Sequence, residues 1–99
     1  MYTRKLETHQ DFILAMEFFK NQTEEFCLEA VRQNCWNLEL IENQTEEMCL
    51  IAVRQDGRLL CHVKNQTEEI CLAAVLQNPN ALYYIKNEEI KNKVKILFM

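Results

Sequence analysis

Residues 21–34 read NQTEEFCLEAVRQN, residues 43–56 read NQTEEMCLIAVRQD, and residues 65–78 read NQTEEICLAAVLQN. The three starts are 22 residues apart. A fixed period of this size marks a stacked repeat, in which each unit buries its faces on its neighbours. Each copy reads as a helix. Asn21 or Thr23 is the natural N-cap, because its side-chain oxygen can accept from a free N–H of the first turn. With Asn21 as cap, Glu24 falls at the third helical position and completes a capping box. Glu24 and Glu25 also sit where the helix dipole favours negative charge. Phe26, Cys27, Ala30 and Val31 span about 140° of the helix, and Leu28 widens the stripe to about 200°. That width suits a helix packed on two sides. The apolar residues do not alternate, which argues against strands.

Stop signals recur at Asn34, Asp56-Gly57 and Asn78-Pro79, where the chain's single Gly and single Pro both fall. Asn and Gly at such points suggest a left-handed helix end. After each stop comes a shorter apolar segment, in which Leu38, Leu40 and Ile41 align with Leu60, His62 and Val63 and with Leu82, Tyr84 and Ile85. These segments read as a second helix of about two turns, which only packing can hold. The expected fold is all-α: an α-solenoid of stacked short helix pairs forming a single domain. Residues 1–20 form an N-terminal cap, 21–42, 43–64 and 65–86 the repeats, and 87–99 a C-terminal cap helix. Met16, Phe18 and Phe19 continue the short-helix columns into the N-terminal cap. Ile96, Leu97, Phe98 and Met99 are too apolar to be simply solvated. They are expected to fold back over the last repeat or, alternatively, to meet another chain.

The run KNQTEEICLAAVLQN, residues 64–78, resembles a short helical repeat of a domain-of-unknown-function family. That family is abundant in giant viruses of the mimivirus type and also occurs in some bacteria. The likeness covers residues 21–86. It departs from the usual unit at Cys35 and Pro79, where the family has Gly, and at His62, where an aromatic is usual. The resemblance implies a helical-repeat fold, and it carries over no catalytic residue.

The chain has a net charge of −4, but its charges are segregated. Residues 21–89 hold five basic and twelve acidic side chains, a balance of −7, while residues 90–99 hold three Lys and no acid. Glu24-Glu25, Glu46-Glu47 and Glu68-Glu69 stack along one edge, and Glu88-Glu89 extend the row. First-turn solvation accounts for them, with an acidic strip for a basic partner as the sharper reading. Nucleic acid is disfavoured, because its binding rests on clustered Lys and Arg. No apolar run reaches membrane-span length. The start lacks the apolar core of a secretory signal, so the expected location is cytoplasmic, the host cytoplasm for a viral protein, and not secreted.

Five cysteines are present. Cys27, Cys49 and Cys71 share one repeat position, and helix spacings of about 8–10 Å are too wide for disulfides between them. They read as small buried hydrophobes, with Cys35 and Cys61 the more exposed thiols. His62 is expected to fill an aromatic-sized core slot. No zinc spacing occurs. The three Asn-Gln-Thr triplets fit the glycosylation pattern but read more simply as caps and connectors, with stacked Asn side chains satisfying backbone groups. There is no phosphate-binding Gly loop, nucleophile elbow or His-Glu-x-x-His motif. No cofactor is implied.

Three function classes follow. A non-enzymatic protein–protein interaction module comes first, because solenoids present an extended surface. A self-assembling structural protein, a homo-oligomer built through the C-terminal helix, comes second. A thiol or metal enzyme is a distant third. Columns that stay constant, Leu28/Leu50/Leu72 and Val31/Val53/Val75, are expected to do the packing. Columns that change from unit to unit are free of that duty: Glu29/Ile51/Ala73 and Arg32/Arg54/Leu76 on the long helix, Glu39/Cys61/Tyr83 and Trp36/Arg58/Asn80 on the short one. Positions 29 and 32 lie about 60° apart, opposite the apolar stripe. The candidate partner-binding residues are therefore Glu29, Arg32, Ile51, Arg54, Arg58 and Tyr83, with Ile51 as an apolar spot among basic neighbours.

Overall fold

A computed structural model describes residues 23–97. The repeat unit begins at its threonine. The hydroxyls of Thr23, Thr45 and Thr67 accept from the backbone N–H of Phe26, Met48 and Ile70 at 3.1, 3.2 and 3.2 Å. Each threonine is in extended conformation, as an N-cap requires. The helices that follow are α1 (Glu24–Gln33), α2 (Glu46–Gln55) and α3 (Glu68–Gln77). Threonine, not asparagine, is thus the cap, so Glu24 and Glu25 occupy the first two helical positions. The expected capping box does not form, because the third position is Phe26. Glu24 and Glu25 keep their dipole advantage, and in the later units Glu46 also accepts from the Thr67 hydroxyl at 3.3 Å and Glu68 pairs with Lys93 at 3.8 Å.

Each long helix ends at Asn34, Asp56 or Asn78. These residues have φ of −151°, −152° and −147°, and no described residue has positive φ. The expected left-handed stop is therefore wrong. The side chain of each instead caps what comes next, accepting from the N–H two residues on: Trp36, Arg58 and Asn80, at 3.1, 3.1 and 3.0 Å. One short polar residue ends one helix and starts another, and an extended backbone turns the chain between them.

The second helices are 3₁₀: η1 (Cys35–Leu40), η2 (Gly57–His62) and η3 (Pro79–Tyr84). With three residues per turn, positions i and i+3 eclipse, and burial follows that rule. In η1, Asn37 and Leu40 are buried, as are Leu38 and Ile41, while Trp36 and Glu39 form the exposed row. Buried Asn37 donates through Nδ2 to the carbonyl of Ala30 at 2.9 Å.

The long helices pack in sequence, α1 on α2 and α2 on α3, with a final helix, α4 (Glu88–Leu97), against α3. The 3₁₀ helices also pack in sequence, and each long helix after the first touches the 3₁₀ helices before and after it. The core runs through every junction, with Val31, Ala52, Val53, Leu59, Leu60, Cys71, Ala74 and Val94 all essentially closed to solvent. The described part is all-helical and contains no strand. The N-terminal cap, with Met16, Phe18 and Phe19, and residues Phe98 and Met99 lie outside the described residues.

Glutamine, not asparagine, ties the units together. Gln44 Nε2 donates to the carbonyls of Leu38 and His62 at 3.2 and 2.8 Å, and its Oε1 accepts from Lys64 N–H at 3.0 Å. Gln66 repeats this one unit on, with Leu60, Tyr84 and Lys86. Asn43 and Asn65, expected to stack there, are exposed. Gly57 serves close approach. A β-carbon there would lie 2.3 Å from the carbonyl oxygen of Ala74, and its N–H donates to Gln77 Oε1.

Candidate interaction surface

The candidate residues divide between two faces. On the long-helix face, Glu29 and Arg32 pair with each other at 3.7 Å. Ile51 is half-buried and packs against the core. It is not the exposed apolar spot expected of it, because a helix flanked on both sides buries more of its circumference than a 100° wheel assigns. Arg54 is exposed and has no hydrogen-bond or ion-pair partner among the described residues. Leu76, in the same column one unit on, is 66% exposed.

On the short-helix face the eclipsed rows 36/39, 58/61 and 80/83 are exposed in all three units. Arg58 lies over the Trp36 ring, 5.5 Å from its centroid. Its guanidinium is held by Asp56, through Nε at 3.0 Å and Nη2 at 2.7 Å. That contact keeps the Asp56 carboxyl below its ordinary pKa. His62 does not fill a core slot. It is half-buried, meets Trp36 edge-on at 6.0 Å and 72°, and approaches Glu39 at 3.8 Å. Its row, 40/62/84, turns toward solvent along the stack, from buried Leu40 to Tyr84 at 41% exposed. Tyr83 is 79% exposed. The structure therefore groups Trp36, Glu39, Arg58 and His62, and leaves Arg32, Arg54 and Tyr83 apart from them. Trp36, Glu39, His62 and Leu76 are residues that the candidate set lacked, although Trp36 and Glu39 stood in its variable columns. Leu76 was legible as a departure from Arg in its column; nothing in the sequence distinguished His62 from a core aromatic.

The thiols divide as their positions imply. All five are free; Cys27, Cys49 and Cys71 are buried, Cys35 is half-buried and Cys61 exposed. Burial pushes Cys49 and Cys71 up to about 11 and raises the other three. A raised pKa suppresses the thiolate, the nucleophilic form. Among the described residues, no three His, Cys, Asp or Glu side chains are grouped to hold a metal ion. Nor is any described helix long and apolar enough to cross a membrane.

The model of a family described as domain of unknown function (DUF4116) matches residues 23–67 and again residues 45–91. The chain belongs to this family. The overlapping matches are offset by one 22-residue unit, so the family's own unit of comparison spans two adjacent repeats. No curated protein and no solved structure matches the chain significantly.

At the C-terminal end, α4 packs through Val94 and half-buried Ile90, while Ile96 and Leu97 are 69% and 64% exposed. The expectation that these two fold back over the last repeat is wrong. Among the described residues α4 packs on α3 and η3, and Ile96 and Leu97 are left uncovered by either.

Proposed function

We propose that the protein is a non-enzymatic α-solenoid that acts as a protein–protein interaction module. The observation that carries this reading is the division of labour between columns. Val31, Val53 and Val75 are constant and buried, whereas Trp36, Leu76, Tyr83 and Tyr84 are large, apolar and exposed. Exposed large apolar groups of these kinds, with Arg nearby, are the usual anchors of protein interfaces. The suppressed thiolates favour binding over thiol chemistry. The family resemblance, with its abundance in giant viruses, supports a role in a host cytoplasm.

The test is capture of a partner from cytoplasm by the whole chain, followed by single alanine changes at Glu29, Arg32, Ile51, Arg54, Arg58 and Tyr83. At least one should weaken binding by more than about 1 kcal/mol while helicity is kept. If every variant binds like wild type, the variable columns are not the interface. A second reading, self-assembly through the C-terminal helix, is favoured by the exposure of Ile96 and Leu97. Native mass measurement separates it: a stable oligomer that Leu97→Glu dissolves would put assembly first.

A further inference from the structure

The third long helix carries a stripe that the first two lack. Glu69, Leu72, Ala73 and Leu76 follow i, i+3, i+4, i+7 spacing and so share one face of α3. The same columns read Glu25, Leu28, Glu29 and Arg32 in α1, where the last two pair with each other. In α3 that ion pair is replaced by Ala73 and Leu76. With Arg54 from α2 and Gln77, the stripe lines an open hollow of about 430 Å³. Ile51 has taken the place of the acid that would neutralise Arg54 from its own helix. Arg54 and Glu69 therefore stand on the rim of an apolar floor, each without a partner among the described residues.

Resting on the interaction reading, we propose that this hollow docks an amphipathic helix of another protein. That helix presents one Leu-sized anchor to Leu72, Ala73 and Leu76, a carboxylate to Arg54 and a Lys or Arg to Glu69. Seating the anchor excludes water from the rim and strengthens both charge pairs. A second copy of this chain fits poorly. Its exposed apolar pair, Ile96 and Leu97, is accompanied by Lys91, Lys93 and Lys95 with no acid in residues 90–99, and would bring like charge to Arg54.

The experiment pans the whole chain against displayed helices of about 16 residues, long enough to hold helical structure. Each carries a central Leu flanked by Glu, Lys or Ala in every order. The expected selection is Leu with an acid on one side and a base on the other. Those helices should bind Arg54→Glu and Leu76→Glu about tenfold or more weakly. The double swap Arg54→Glu/Glu69→Lys, which restores the charge balance, should select the reversed order. Circular dichroism confirms that each variant stays folded. No selection, selection without charge preference, or equal binding to the double swap overturns the proposal. So does a homodimer that the swap dissolves, because the occupant is then a second copy. If a captured natural partner ignores the double swap but is lost with Trp36→Ala or Tyr83→Ala, this hollow is refuted while the interaction reading stands.

Discussion

Replacing Gln66 by Ala tests what holds adjacent units in register. Its amide spans the second junction, donating to the Leu60 carbonyl of one unit and the Tyr84 carbonyl of the next, both at 3.0 Å, and accepting from Lys86 N–H at 2.9 Å. A net hydrogen bond contributes about 1 kcal/mol, and one that water can replace contributes less. The Leu60 bond is partly buried and the other two are exposed. Counting the exposed pair at about half weight, Gln66→Ala should cost about 2 kcal/mol. The assay is urea unfolding, read as a lower midpoint at unchanged slope. Gln66→Glu sharpens the test. A carboxylate still accepts from Lys86 but turns an anion toward two carbonyl oxygens that need donors. At pH 7 it should therefore be less stable than Gln66→Ala. Its carboxyl pKa is raised in the folded state, so protonation favours folding. That favourable share is fully present below the unfolded value of about 4.3 and is lost as pH rises through the folded value. The glutamate variant should gain on the alanine variant between pH 7 and pH 4. The reasoning is refuted if Gln66→Ala stays within about 0.5 kcal/mol of wild type, the scatter of ordinary surface changes. It is refuted equally if the glutamate variant is no worse than the alanine at pH 7.

Gly57→Ala should cost about 1–3 kcal/mol by overpacking, since its β-carbon would meet the Ala74 carbonyl at 2.3 Å; thermal unfolding reads the loss. In thiol titration at pH 8, Cys61 should react first and Cys35 next, while Cys27, Cys49 and Cys71 should wait for denaturant. Asp56→Ala should cost about 1 kcal/mol as a lost helix cap, whereas Asp56→Asn should cost less at neutral pH, because it keeps the cap that Asn34 and Asn78 make and loses only the exposed ion pair with Arg58. Arg58 depresses the Asp56 carboxyl, so the stability it adds is present above the unfolded value of about 3.9 and is lost as pH falls through the folded one. Asp56→Asn should accordingly flatten the acid limb of the stability curve.

What the sequence disclosed was periodic, and what it hid was geometric. Three copies of one fourteen-residue phrase fixed the helices, their order and the constant buried valine column. The same phrase offered two capping residues two positions apart, and the extended backbone at Thr23, Thr45 and Thr67 gives the role to threonine. Gln44 and Gln66 were visible as constants of the repeat. Their role depends on two carbonyls, 6 and 18 residues away in sequence, pointing at one spot. Asn34 read as a left-handed stop because helices often end so, yet here the next helix begins at once and claims the side chain. His62 and Ile51 were misplaced for opposite reasons. The slot at His62 lies on a row, 40/62/84, that turns toward solvent and is only half covered, and a position opposite the stripe is covered once both neighbours are in place.

The 3₁₀ form of the short helix follows from the length of the unit. A ten-residue α-helix rises about 15 Å. Six residues of α-helix would recover only about 9 Å of that, but six of 3₁₀ recover about 12 Å. The tighter helix brings the chain most of the way back within 22 residues, before the next threonine cap. It also divides the surface more sharply than an α-helix does. Because positions three apart eclipse, one row of each 3₁₀ helix is set outward: 36/39, 58/61 and 80/83, exposed in every unit, with Pro79 and Tyr84 exposed as well in η3. Those rows change from Trp36 and Glu39 to Arg58 and Cys61 to Asn80 and Tyr83. The conformation that closes the repeat thus also isolates a line of side chains that can vary without disturbing it. On the long helices, where the period is 3.6 and no row is cleanly set apart, variation is costlier. Ile51 packs half-buried against the core, while Leu76 is left exposed in the hollow that Arg54 also lines.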